Sequence, residues 1–249
     1  MAKRLEDDEI VYYYDRYPTE EDLMGETIDH STLVQYLMQV LTWLFEGQAC
    51  VVHANLNFYQ TPYWKEYPLV PDLAVIKGME FRRMRSWRVG KTGPAPHVVV
   101  EIASEETWDK DLTEKPSKYA AMGVEEYFAY DPNEPPLRRG GRRLFGWRLE
   151  RASRMMHELP LEPDGRLWSR HLESYLVADS AYLRLYDRTG HLRLTRAEAE
   201  AEARWAETRR AEAEAKARRA ETRRADAEAR RADVLAEKLR SLGIDPDQL

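Results

Sequence analysis

The sequence predicts an α/β protein: a mixed sheet flanked by helices, followed by a long charged helix. Three observations predict it. Apolar segments over residues 27–132 follow the order helix, three strands, helix, strand. Hairpin-like runs follow over residues 133–194, and the composition turns abruptly to Ala, Glu and Arg after Thr195. The 249 residues leave room for one sizeable domain and an appendage.

Residues 1–18 are tyrosine-rich and read as an irregular lead-in. Between Thr27 and Glu46, the residues Ile28, Val34, Leu37, Met38, Leu41, Leu44 and Phe45 recur at spacings of three and four, as a helix requires. Gly47 is placed to end that helix as a C-cap. Three apolar runs suited to strands follow, at 49–59, 69–76 and 96–103. The third contains Val98-Val99-Val100, the pattern of a strand buried on both faces. Residues 111–122 read as a helix closed by Gly123, and 125–132 as a fourth strand stopped by Pro132. The second helix thus crosses between two strands of one sheet. Turn signals at Gly140-Gly141, Asp164-Gly165 and Thr189-Gly190 separate the later runs, among them 144–150 and 182–188.

The expected boundaries are a domain over 1–194, a helix over 195–241 and a tail over 242–249. The helical stretch repeats: ETRRAEAEAK at 207–216 returns as ETRRADAEAR at 221–230, an offset of two heptads. Ala211, Ala215, Ala225, Ala229, Ala232, Ala236 and Leu239 follow alternating four-three spacing, interrupted by Arg218 and Thr222. An alanine seam buries little area, so the expectation is either a weak coiled coil, giving a homodimer or other homo-oligomer, or a solvated single helix.

Composition narrows the function. Charged residues reach 33%, above the usual quarter or so, yet the net charge is -6. That balance argues against tight, metal-free, non-specific nucleic-acid binding by the whole chain, and it leaves room for an acidic site filled by a metal. The lone Cys50 allows no intramolecular disulfide and fits a reducing, cytoplasmic location. The N-terminus lacks the apolar core of a signal peptide, and no run approaches the roughly 18 apolar residues of a membrane span. The six histidines show no zinc-ligand spacing with the cysteine.

Asp72, within the second apolar run, and Glu101, at the end of the third, are the acids that would be costly to bury alone. Adjacent strands bring both to one end of the sheet, where two hard oxygen ligands suit Mg2+, with Mn2+ as a substitute. Lys115, with Lys118 as the alternative, supplies a cation for a phosphate or an attacking water. Taken singly, a Pro-Asp pair usually marks a turn, a strand-end glutamate a solvated rim and a helical lysine a surface. Their combination in this order is what points to chemistry. Glu26 and His30, at the start of the first helix, are secondary candidates, although an ordinary first-turn acid is the simpler reading of Glu26. Arg82, Arg83, Arg85 and Arg88, around Trp87, and the basic turn at 137–143 are candidates for phosphate contacts.

The strings VPDLAVIKG, HVVVEIAS and DLTEKPSKYAAMGVEEYFAYDP resemble those of the large bacterial family of restriction-endonuclease-like proteins within the PD-(D/E)XK nuclease superfamily. The resemblance runs from about Tyr17 to Arg196 and is strongest over Val98–Pro132. It implies the restriction-endonuclease-like fold, metal-dependent cleavage of nucleic acid, with DNA the expected substrate, and Asp72 and Glu101 as metal ligands. The superfamily lysine belongs two residues after Glu101, where Ala103 stands. The resemblance places its function at Lys115 on the following helix. Pro116 leaves two readings of that helix. Either Asp111 caps it with Glu114 as a capping box, or it starts at Pro116 and Lys115 precedes it, with Lys118 or Lys110 as substitutes. The rival to a nuclease is a catalytically silent interaction protein working through its terminal helix.

Overall fold

The computed structural model describes residues 28–61, 67–138, 140–179 and 182–241. Glu26 and the tyrosine-rich lead-in lie outside them. The chain divides into two units, Met1–Arg196 and Ala197–Leu249.

A six-stranded sheet organises the first unit. Its strands are β1 (Cys50–Ala54), β3 (Leu73–Lys77), β5 (Val98–Ile102), β6 (Glu126–Tyr130), β7 (Leu144–Glu150) and β8 (Met155–Glu158), in that spatial order. Strands β5 and β6 run parallel and all other neighbours antiparallel, so the sheet is mixed. The one parallel pair needs a crossover, which α2 (Trp108–Thr113) and α3 (Lys115–Met122) supply.

Alternation along the strands builds two cores. On one face, Val52, Leu73, Val75, Val98, Val100 and Phe128 pack with α1 (Ile28–Leu44) and with a three-stranded sheet, β9 (Leu167–Ser169), β10 (Ser174–Asp179) and β11 (Tyr182–Tyr186). On the other face, Val51, Ala74, Val99, Tyr127 and Phe145 pack with Trp108, Tyr119 and Met122 of the crossover helices. Phe58 and Trp87 join this second core from β2 (Asn57–Tyr59) and β4 (Ser86–Arg88), a short parallel pair. All five residues of β5 are buried, as its valine run predicts.

The structure departs from the expected elements at five places. The run at 49–59 is two strands, because Asn55 adopts a positive φ of 51° and breaks it. Asp72 immediately precedes β3 instead of lying inside it. The helix expected over 111–122 is two helices with the break at Glu114. Pro116 lacks an N–H and cannot continue a helical ladder, but it fits the first turn of α3. Within the later hairpin region, β7 and β8 extend the main sheet itself, and the basic segment 81–91 contains β4.

The second unit is dominated by α4 (Arg196–Ser241), 46 residues long and without a buried residue. Among the described residues, no helix is long and apolar enough to cross a membrane.

Candidate active site

Pairing of β3 with β5 sets Leu73 opposite Val100, so the next residues outward, Asp72 and Glu101, meet at one end of the sheet. The Asp72 amide donates to Glu101 Oε2 at 3.4 Å, and the Ile102 amide donates to Asp72 Oδ2 at 2.6 Å. His30, from the first turn of α1, reaches around the sheet end to Asp72 Oδ2 at 3.3 Å. Asp72 thus receives a strand amide from one side and an imidazole from the other, which fix its carboxylate beside Glu101.

The crossover helices supply the rest. Lys115 opens α3, and its Nζ lies 3.1 Å from Glu101 Oε1 and 2.7 Å from Asp111 Oδ1. Asp111, four residues earlier on α2, is buried and accepts a second bond from Thr107 Oγ1 at 3.0 Å. Tyr119, one turn after Lys115, donates its hydroxyl to Glu101 Oε1. Tyr127, on β6, ties down the backbone beneath by donating to the Asp111 carbonyl at 2.8 Å. The break before Pro116 brings Lys115 inward: with α2 and α3 joined only through Glu114, Asp111 and Lys115 still face the same site.

Burial sets the electrostatics. The Glu101 side chain is 3% exposed, and desolvation pushes its pKa up to about 8, with Lys115 opposing and Asp72 and Asp111 assisting. Burial likewise raises Asp111 against the pull of Lys115. Desolvation alone would lower Lys115, but Glu101 and Asp111 outweigh it and hold the ammonium charged. Burial, then the neighbouring Glu101, keeps the Tyr119 phenol protonated and able to donate.

Among the described residues, no group of three or more His, Cys, Asp or Glu side chains is gathered to hold a metal ion. The two-carboxylate set of Asp72 and Glu101 is nevertheless of the kind Mg2+ takes, because that ion commonly binds through one or two carboxylates, keeping waters and substrate oxygens in its other positions. Charge agrees with that fit. Asp72, Glu101 and Asp111 face Lys115, three carboxylates against one ammonium, leaving two negative charges when all are ionised.

A family model described as "Putative restriction endonuclease" (Uma2) matches residues 7–172. The chain belongs to this family. The matched residues include Asp72, Glu101, Asp111, Lys115 and Tyr119, and they end before α4 begins. Among solved structures, the chain is similar to a protein titled a putative nuclease belonging to DUF820, from Anabaena variabilis ATCC 29413. The two share 17% identity over 60% of this chain and 75% of that one, with a TM-score of 0.41. No curated protein matches the chain.

The structure brings together Asp72, Glu101, Lys115 and His30 from among the sequence candidates. It leaves Lys118 outside: that side chain is half exposed and pairs with Glu114 at 2.8 Å on the solvent side of α3. Lys110 is exposed on α2. Arg82, Arg83 and Arg85 are exposed, but Arg88 is buried, its guanidinium lying 4.7 Å over the Tyr59 ring. A phosphate contact by Arg88 is therefore corrected to a packing role. Asp111 is the participant for which the sequence offers only a capping role. Its four-residue spacing from Lys115 was the available signal.

Proposed function

We propose that this Uma2-family chain is a divalent-metal-dependent endonuclease that hydrolyses phosphodiester bonds in nucleic acid, with DNA as substrate, Mg2+ as cofactor and Mn2+ as a substitute. The observation that carries the proposal is the contact of Asp72 with a fully buried Glu101 beside the charged Lys115.

Asp72 and Glu101 would hold the ion. Tyr119 and Lys115 occupy Glu101 Oε1, while Ile102 and His30 occupy Asp72 Oδ2. Glu101 Oε2 accepts only the long bond from the Asp72 amide, and Asp72 Oδ1 takes none of these contacts, so these two oxygens would face a cation. A divalent ion bound there supplies Lewis acidity toward a phosphate oxygen and lowers the pKa of a water. Lys115 stabilises the negative charge that develops on the phosphate, at no cost in reorientation because Asp111 already holds the ammonium. Arg82, Arg83 and Arg85 contribute backbone contacts that position the nucleic acid.

A second reading, a catalytically silent scaffold, draws on the same lysine, because an ammonium bridging two buried acids is also what a structural ion-pair network makes. The test offers single- and double-stranded DNA and RNA to the full chain with Mg2+ or Mn2+, alongside calorimetric titration of each metal. Cleavage lost in Asp72→Asn and Glu101→Gln, with the fold retained, supports the nuclease. No cleavage of any substrate and no metal binding by the wild type would leave the scaffold in its place.

A further inference from the structure

The helix α4 carries its charges in a pattern that the core does not explain. Over residues 209–231 there are nine basic and five acidic residues, a surplus of four positive charges in a chain whose net charge is -6. At 3.6 residues per turn, three arginine pairs fall on one half of the helix: Arg209-Arg210, Arg223-Arg224 and Arg230-Arg231. Glu214, Glu221 and Asp226 fall on the other half, with Arg218 and Arg219, while Glu212 and Glu228 lie at the borders. Alanines 213, 220 and 227 run down the middle of the arginine half, and Lys216, between the first two pairs, adds one further cation to it. All six arginines are exposed, and among the described residues none of them forms an ion pair.

We propose that the arginine half of α4 is a second nucleic-acid-binding surface, one that grips the phosphate backbone without reading sequence. Guanidinium groups bind phosphate oxygens in bidentate geometry, and alanines allow close approach of a wide polyanion. The first pair lies 14 residues from the second, and the second seven from the third. At about 1.5 Å per residue the array spans roughly 33 Å, close to one turn of a B-form duplex at about 34–36 Å. The opposing acids do not cancel it. A helix is about 10–12 Å across, and charges beyond about 8 Å are largely screened at physiological ionic strength. Phosphates in contact with the arginines therefore meet the arginines first. A second copy of the chain is the weaker occupant. The alanine seam 211–239 lies on the acid half and is flanked by Glu214, Glu221 and Glu228 on one side and by Asp226 and Asp233 on the other, so parallel pairing sets acid mostly against acid. The choice of nucleic acid rests on the function proposed for the core.

The test measures binding of a fluorescent 30-base-pair DNA duplex to the full chain by anisotropy, in EDTA, over about 50–200 mM salt. Two variants are compared with wild type: R209Q/R210Q/R223Q/R224Q/R230Q/R231Q, and R218Q/R219Q as a control on the opposite half. Glutamine keeps helix propensity, and circular dichroism verifies the helix. If about three of the six arginines touch phosphates at once, the slope of log affinity against log salt falls in magnitude by about 3, and affinity at 0.1 M salt falls by roughly two to three decades. The control should change affinity by less than about tenfold. Equal losses in both variants, or no loss in the first, overturn the proposal. So does a drop in solution mass of the first variant with DNA binding unchanged, which would make a second copy the occupant. Because EDTA removes catalysis, an inert core with face-dependent binding would defeat the nuclease reading alone, and cleavage without face-dependent binding would defeat this one.

Discussion

Replacing Glu101 with glutamine should change how stability responds to pH. The side chain is 3% exposed and its folded-state pKa is pushed up to about 8, against 4.5 for the free group, chiefly by desolvation. Below about pH 4.5 both folded and unfolded chains hold the proton, and above about 8 neither does. Between these values the folded chain alone holds it, so raising the pH destabilises the fold by up to about 1.4 kcal/mol per pH unit. From pH 5.5 to 7.5 that amounts to roughly 2–3 kcal/mol, or about 5–10 °C in Tm for a domain of this size. Glutamine has the same shape, accepts the Tyr119 hydroxyl and cannot titrate, so this part of the dependence vanishes. The assay is thermal unfolding of wild type and Glu101→Gln in EDTA at pH 5.5, 6.5 and 7.5. Parallel Tm curves for the two proteins would refute the reasoning, because they would mean Glu101 is ionised throughout. The same proton must leave when a cation binds. Titration of Mg2+ at pH 7 in buffers of different ionisation enthalpy should therefore report release of about one proton.

Lys115→Ala should lower cleavage by roughly 10²–10³-fold, as for loss of one electrostatic donor, while Lys118→Ala stays near wild type because Lys118 pairs with Glu114 in solvent; initial rates decide, and the reverse order would reassign the role. Gly146→Ala should cost about 1–3 kcal/mol in chemical denaturation. A Cβ there would lie 2.8 Å from Phe128 and 2.9 Å from Leu167, both buried, and a smaller cost would show that those side chains can give way. The full chain and a chain truncated after Thr195 should have the same number of subunits by light scattering, since the seam of α4 offers methyl groups flanked largely by acids. A larger assembly in the full chain alone would show that the seam pairs.

Much of this architecture is legible in the sequence wherever one local signal decides it. The valine run of β5 could only be a strand buried on both faces, and the helix-length segment after it had to cross to a parallel neighbour. Asp72 and Glu101 are visible as candidates because an acid within or at the end of an apolar run is conspicuous. Other features depend on contacts between distant residues. The burial of Arg88 follows from Tyr59, 29 residues earlier, through the β2–β4 pair, and three-residue strands carry too little periodicity to be recognised. Asp111 reads as a helix cap because aspartate favours caps. Only the break at Glu114 and the inward turn of Lys115 place it in the site.

The chain also buries a second glutamate, and the contrast between the two separates structure from chemistry. Glu126, at the start of β6, receives Arg148 through Nε and Nη2, the Ser169 hydroxyl, and the amides of Arg170 and His171. Its charge is matched and its oxygens are filled, as folding alone requires of a buried acid. Glu101, equally buried, has Tyr119, one shared lysine and a long bond from Asp72, and two further carboxylates lie close by. A carboxylate buried with so few donors, amid surplus negative charge, destabilises the fold unless a proton or a cation joins it. Where the same sheet satisfies one acid completely and leaves another short of positive charge, a proton fills the shortfall below about pH 8, and a cation displacing it is what the proposed function requires. That contrast is the physical reason the proposal puts a metal ion at Asp72 and Glu101 and not at Glu126.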